Sequence, residues 1–202
     1  MALANHRTWL LGHAEKLFSF FERRLINPLG GFYELDEEDG QQRRVTMRPT
    51  SRRYLFATSG IVRAYAAAYL MGRPGADVIV DHGISFLWSG HRDSDYAVYY
   101  WGVGYDGPLD PIKQAYGHAF VLLAASSAKV AGCPGADRLP TDISTIIRER
   151  FWEEQYGAVA EEFTHEWRCS KQQAIQRVEP FRVCRRLFRL SHAAMAGCSV
   201  TA

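Results

Sequence analysis

Residues 104–120 read GYDGPLDPIKQAYGHAF, and this stretch changes from a turn into a helix partway along. Its first half carries two glycines and two prolines, which are residues that set tight turns. Its second half has the apolar spacing of a helix and carries Lys113, Tyr116 and His118. A loop of this kind is either a surface corner or the rim of a binding site.

Apolar periodicity predicts a mostly helical chain. It indicates five helices, over residues 4–26, 50–71, 75–89, 111–131 and 140–152. Loops rich in aromatic residues, glycine and acids recur at residues 30–40, 99–107 and 155–167, and each reads as a short hairpin. This weak internal repeat predicts stacked helix pairs that close a solenoid or a toroid, with the hairpin loops at one end.

The composition is that of a soluble globular protein: 47% of the 202 residues are hydrophobic and 23% are charged. No apolar run approaches the ~20 residues of a membrane span. The N-terminus lacks the apolar core of a secretory signal, so we expect a cytoplasmic protein. The charge pattern gives no nucleic-acid footprint, and the four cysteines form no CxxC pair that would indicate zinc or redox chemistry.

Charge divides the chain near residue 167. The segment 168–202 holds seven basic residues and one acid, whereas acids outnumber basic residues before it. It also holds three of the four cysteines. We therefore predict a domain over 1–167 followed by a basic tail over 168–202. The tail stretch FRVCRRLFRL leaves open a membrane-binding or partner-binding helix.

Four stretches in the same order resemble the N-acylglucosamine 2-epimerase superfamily, which includes cellobiose 2-epimerases and mannose isomerases. They are GGFYELDEEDG from residue 30, PTSRRYLFA from residue 49, DGPLDPIKQAYGHAF from residue 106, and the segment that ends at Trp167. The resemblance covers roughly residues 5–167 and slightly favours the isomerase branch. It implies an all-α fold, a partial (α/α)6 toroid with about half of the helices.

The resemblance implies a sugar 2-epimerase or aldose–ketose isomerase that acts by proton transfer at C2 of a monosaccharide or sugar derivative, without metal or cofactor. Such chemistry needs a base of near-neutral pKa and electrostatic stabilisation of an enediolate. By the same resemblance, one of Arg52 and Arg53, on the first turn of the second helix, contacts the sugar. Tyr116 faces the cavity as a second substrate-binding residue.

The helical wheel separates the other polar residues of the opening stretch. Tyr116 and Phe120 share a face, whereas His118 lies about 200° away from Tyr116. We interpret His118 as a hydrogen-bonding residue between helices. Lys113 is expected to form a local ion pair with Asp106 or Asp110.

Beyond Trp167 the family pattern is lost, together with the helix start YRG.NANMH and two later histidines that serve as acid and base. The catalytic residues are therefore unknown, and His165 reads as a surface histidine. We expect a truncated and inactive form, produced by a frameshift or an early stop, and whether the chain is an enzyme stays open. The alternative is a non-catalytic carbohydrate-binding or self-associating fragment, whose exposed apolar faces would favour a homodimer.

Overall fold

The computed structural model describes residues 2–33 and 52–168. Most of the first predicted hairpin lies outside the described residues, and so does the tail from residue 169 onward. The predicted domain boundary at residue 167 therefore stays a prediction.

Five α-helices form the body of the described chain, and all five were predicted from the periodicity. The third and fifth helices each continue into a π-helical turn, over Leu87–His91 and Ile147–Phe151. The helices are α1 (Ala2–Leu25), α2 (Leu55–Leu70), α3 (Ala76–Phe86), α4 (Ala115–Val130) and α5 (Arg138–Ile146).

Short antiparallel strands lie before α2, between α3 and α4, and after α5. The strands are β1 (Arg53–Tyr54), β2 (Arg92–Asp93), β3 (Val98–Tyr99), β4 (Gly102–Val103), β5 (Pro108–Asp110), β6 (Lys113–Gln114), β7 (Trp152–Glu153), β8 (Ala158–Val159) and β9 (Glu162–Phe163). They pair as β1-β4-β5, β2-β3, β6-β9 and β7-β8. Strands that follow α1, α3 and α5 pair with one another, so these connections meet at one end of the helices, as predicted.

The second and fourth helices begin later than predicted, because the residues before them join strands. Arg53 pairs with Val103 in β1-β4, and Lys113 pairs with Phe163 in β6-β9. The prediction that Arg52 and Arg53 lie on the first turn of α2 is therefore wrong: both precede the helix, which starts at Leu55. The extended backbone of each strand supplies ladder hydrogen bonds that a helical turn would forgo.

Helix α2 packs against both α3 and α4, and α4 packs against α5. The small buried side chains of α2 and α4 allow this close approach. They are Ala66, Ala68, Ala119, Ala124, Ala125 and Ala128. Helix α1 lies at the edge of the body. None of the described helices is long and apolar enough to cross a membrane.

Gly83 marks a tight contact between α3 and the core side chains of Phe32 and Val62. A Cβ atom at this position would lie 2.8 Å from the Phe32 ring and would also collide with Val62. Gly60, in the middle of α2, has nothing within 4 Å of the same atom. The two helical glycines thus form a matched pair, one crowded and one in open space.

We expect Gly83→Ala to lower the free energy of unfolding by about 1–3 kcal/mol, because the added methyl group overpacks the core. Gly60→Ala should raise it by about 0.5–1 kcal/mol, because alanine is the better helix former. Urea unfolding of both variants beside the wild type measures the difference. Equal effects of the two substitutions would contradict the packing described here.

Candidate functional site

Five aromatic side chains form one surface at the starts of α2 and α4, which we call the aromatic shelf. Its members are Tyr54, Phe56, Trp101, Tyr116 and Phe120. The Phe56 and Trp101 rings stack with centroids 5.4 Å apart, and the Tyr116 ring lies 6.3 Å from Trp101. Tyr116 and Phe120 are 4.8 Å apart, which confirms that they share a face of α4.

The shelf is open to solvent, although Trp101 packs partly against the core. Tyr116 is 43% exposed and Phe56 is 39% exposed. Large half-exposed aromatic faces with hydroxyl groups beside them are typical of sites that bind small amphipathic ligands. The helix start within residues 104–120 thus contributes Tyr116 and Phe120 to an exposed aromatic surface, as a binding-site rim would.

Two backbone features hold Trp101 in the shelf. The Leu55 N–H donates a hydrogen bond to the Trp101 carbonyl at 2.9 Å, which ties the strand to the start of α2. Gly117 leaves room for the indole ring against α4, since a Cβ atom there would lie 3.1 Å from Trp101 and 2.9 Å from the Leu55 side chain.

Arg53 lies in a buried clamp behind the shelf. Its guanidinium donates hydrogen bonds to the carbonyl oxygens of Gly30, at 2.8 Å, and Gly104. The same group lies 4.8 Å from the centroid of the Phe86 ring. Burial lowers the pKa of Arg53. The side chain thus joins the connection after α1 to the β4-β5 turn.

Arg52 is exposed at the edge of the shelf. Its guanidinium lies 3.5 Å from the Tyr54 hydroxyl, and this hydrogen bond raises the pKa of Arg52. The structure thus places the two candidate arginines differently: Arg52 lies beside the aromatic shelf with Tyr116, whereas the two terminal nitrogens of Arg53 donate to backbone carbonyls.

Lys113 forms a fully buried ion pair with Asp93, in which Nζ lies 2.6 Å from Oδ2. The prediction of Asp106 or Asp110 as the partner is wrong. The β2-β3 hairpin instead brings Asp93 to Lys113, the first residue of β6. Burial by itself would raise the pKa of Asp93, but hydrogen bonds from Lys113 and from the Asp95 backbone outweigh it and lower the pKa. Burial also lowers the pKa of Lys113.

Tyr100 and His165 cover the ion pair from the solvent side. Nζ of Lys113 lies 4.0 Å from the centroid of the Tyr100 ring. Burial, together with the nearby Asp93 carboxylate, raises the pKa of Tyr100 to about 12. The His165 ring stacks on Tyr100, and its Nε2 lies 3.4 Å from Asp93 Oδ2. The prediction of a surface histidine missed these contacts, although the ring is one-third exposed.

His118 and His91 are fully buried and structural. The Tyr99 N–H donates to Nε2 of His118 at 3.2 Å, and the opposite ring nitrogen of His118 donates to the Gln114 carbonyl at 2.7 Å. His118 is therefore a hydrogen-bonding residue, as predicted, but it joins α4 to β3. Burial lowers the pKa of both histidines to about 4, so both are neutral near pH 7.

Sequence reasoning missed Asp93, which lies 20 residues before its partner and has no motif around it. Tyr54, Phe56 and Trp101 were also missed as site residues, although the aromatic composition of the two stretches was a usable signal. Among the residues that the structure describes, no group of three or more histidine, cysteine or acidic side chains is placed to hold a metal ion.

The sequence profile of the N-acylglucosamine 2-epimerase (GlcNAc 2-epimerase) family matches residues 30–180, which is most of the chain. The chain belongs to this family. The match includes the starts of α2 and α4, which carry the aromatic shelf, and it includes both residues of the buried ion pair.

Members and neighbours of the N-acylglucosamine 2-epimerase family agree with this assignment. The chain is 33% identical over 201 residues to a D-mannose isomerase of Thermobifida fusca, covering 99% of this chain and 46% of that protein. It is 35% identical over 164 residues to a D-mannose isomerase of Pseudomonas cannabina pv. alisalensis, covering 80% of this chain and 37% of that protein. The chain thus spans about half the length, or less, of these relatives.

Solved structures show the same fold. A crystal structure of D-mannose isomerase superposes with a TM-score of 0.75 at 24% identity, over 95% of this chain and 48% of that one. A cellobiose 2-epimerase from Spirochaeta thermophila gives 0.77 at 20% identity, over 98% and 50%. These neighbours are (α/α)6 toroids, so the described helices form part of such a toroid.

We expect Lys113→Met to destabilise the fold by about 3–5 kcal/mol, because it leaves the Asp93 carboxylate buried without its cation. The double variant Lys113→Met/Asp93→Leu should recover most of this loss, since no charge is then stranded. Urea unfolding at pH 7 measures both. If Lys113→Met were as stable as the wild type, Lys113 and Asp93 would not form the buried ion pair described here.

The pair also sets an acid dependence of stability. The folded pKa of Asp93 is lowered, so its contribution is fully present above the ordinary carboxyl pKa of about 3.9. It is lost as the pH falls from there toward the folded pKa. Unfolding free energies measured between pH 7 and pH 3 should therefore fall less steeply for the double variant than for the wild type.

Proposed function

We propose that this chain supplies the sugar-binding aromatic shelf of an aldose–ketose isomerase or 2-epimerase of the mannose isomerase type, which acts by proton transfer at C2. The observation that carries the proposal is the shelf itself, at the meeting point of the loops, in a chain of this family. Two relatives are D-mannose isomerases, which favours mannose as the sugar.

The shelf offers the two kinds of contact that a sugar ring needs. The apolar C–H face of a pyranose packs on flat aromatic rings such as Phe56 and Trp101, where it gives up ordered water. The hydroxyl groups at the ring edge meet the phenol of Tyr116 and the guanidinium of Arg52, which donates up to five hydrogen bonds. Arg53 contributes through the clamp and not through direct contact.

Proton transfer at C2 needs a base that titrates near neutral pH and reaches the sugar. The described part of the chain places no histidine in the aromatic shelf. His91 and His118 are buried and neutral, and the His82 ring bonds the Gly31 carbonyl at 2.7 Å. His165 lies against Asp93. We therefore propose that the chain alone binds the sugar without interconverting it, which is a carbohydrate-binding role.

Trp101→Ala should weaken D-mannose binding at least about ten-fold, which is the scale expected when one aromatic stacking partner is lost. The matched control is Trp152→Ala, which removes another half-exposed tryptophan, outside the shelf. Isothermal titration calorimetry with D-mannose and D-fructose measures both variants. Equal affinities for the two variants would refute the shelf as the sugar site.

A second variant tests whether the position of the Trp101 ring matters when all the shelf side chains are kept. Gly117→Ala keeps every shelf side chain but pushes the Trp101 ring away from α4, so we expect weaker mannose binding in a folded protein. Arg52→Ala should also weaken binding.

The wild-type 202-residue chain should not interconvert mannose and fructose. Discontinuous assays of both sugars measure this, and clear turnover would contradict the binding-only role.

A further inference from the structure

Asp110, one of the two partners predicted for Lys113, lies instead beside the aromatic shelf. In the β1-β4-β5 sheet, Tyr54 and Asp110 are both cross-strand partners of Gly102. Cross-strand partners present their side chains on the same face of a sheet. A Cβ atom on Gly102 would lie 3.4 Å from the Asp110 side chain and 3.5 Å from the Tyr54 ring. The carboxylate is therefore next to a member of the shelf.

Arg52 reaches the same face of the sheet from the side of β1. Its guanidinium lies 3.5 Å from the Tyr54 hydroxyl. The pKa of Arg52 is raised by this hydroxyl first, and also by the negative charge of Asp110. Among the described residues, Asp110 is the one carboxylate that acts on Arg52 in this way. A cation, a phenol and a carboxylate thus lie side by side along one edge of the shelf.

The Asp110 carboxylate is oriented by its own turn and is still open to a ligand. Its Oδ1 accepts a hydrogen bond from the Ile112 N–H at 3.4 Å, a local contact that fixes the side chain. Asp110 is half-buried, so part of the side chain meets solvent. An ionised carboxylate accepts hydrogen bonds on both oxygens. Asp110 can therefore hold its turn and accept hydrogen bonds from hydroxyl groups of a ligand.

We propose that Asp110 is a specificity-determining residue, which makes the aromatic shelf select neutral sugars over sugars that carry an acid group. The inference rests on the proposed function, in which the shelf binds the sugar. Arg52 alone would attract a carboxylate strongly. Beside Asp110 its charge is offset, and an acid group brought to Arg52 meets a like charge, which lowers affinity. A neutral sugar instead finds a donor in Arg52 and an acceptor in Asp110.

The test compares D-mannose with D-mannuronate, which has the same ring but a carboxylate at C6. Isothermal titration calorimetry with the 202-residue chain measures both, and the wild type should bind mannose more tightly. Asp110→Asn should shift the ratio of the two affinities toward mannuronate by at least about ten-fold, because the repelling charge is gone. Asparagine keeps an oxygen for the Ile112 N–H, so we expect the variant to fold, and circular dichroism checks this.

Two further variants show whether charge at this position causes the effect. Asp106→Asn removes an equal charge from an exposed residue of the same β4-β5 turn, and it should leave the ratio unchanged. The double variant Arg52→Ala/Asp110→Asn should lose the mannuronate binding that Asp110→Asn gains, since no cation is left to hold the carboxylate. The gained binding should also weaken as the salt concentration rises.

The titrations separate a failure of this inference from a failure of the proposed function. The role of Asp110 is overturned if Asp110→Asn leaves the ratio unchanged, if Asp106→Asn shifts it equally, or if the wild type binds both sugars equally well. In each of these cases the wild type still binds mannose, so the shelf remains the sugar site. A wild-type chain that binds neither sugar would overturn the proposed function, and this inference with it.

Discussion

The buried ion pair between Lys113 and Asp93 is the constraint on which the loop end of the molecule depends. An unpaired charge in that position would cost several kcal/mol, so the two strands that carry these residues have to meet. Lys113 lies two residues before α4, and Asp93 is the last residue of β2 in the β2-β3 hairpin. Their contact therefore fixes where α4 starts relative to the hairpin. His165 brings the connection after α5 to the same carboxylate, so this connection and the one between α3 and α4 share one anchor.

The aromatic shelf is a consequence of that arrangement. With α4 and the β3-β4 segment held together, the Trp101 ring packs against the Gly117 backbone, where a Cβ atom would lie 3.1 Å from it. The Arg53 clamp then ties the connection after α1 to the β4-β5 turn through backbone carbonyls. Fixed backbone on both sides gives the shelf rings defined positions before any ligand arrives. Such preorganisation would lower the entropy cost of the sugar binding proposed above.

The helices could be predicted from sequence because apolar periodicity is a local signal. The shared face of Tyr116 and Phe120 was predictable for the same reason, since the helix repeat alone decides it. The Lys113–Asp93 pair was not predictable, because a side-chain contact between two separate strands, β2 and β6, leaves no mark in local spacing. The two arginines show a similar limit: a helical reading groups Arg52 with Arg53, whereas extended backbone sends consecutive side chains to opposite faces.

The histidines of the described helices and loops around the candidate site contact the protein itself, and none lies in the aromatic shelf. A histidine that is buried among apolar groups loses its basicity, and this has happened to His91 and His118. Both serve the fold by receiving or donating backbone hydrogen bonds, so neither is free to move to a substrate. The sugar binding proposed above therefore rests on stacking against the shelf rings and on hydrogen bonds from Tyr116 and Arg52. In the proposed reaction, proton transfer at C2 would depend on groups outside the described residues.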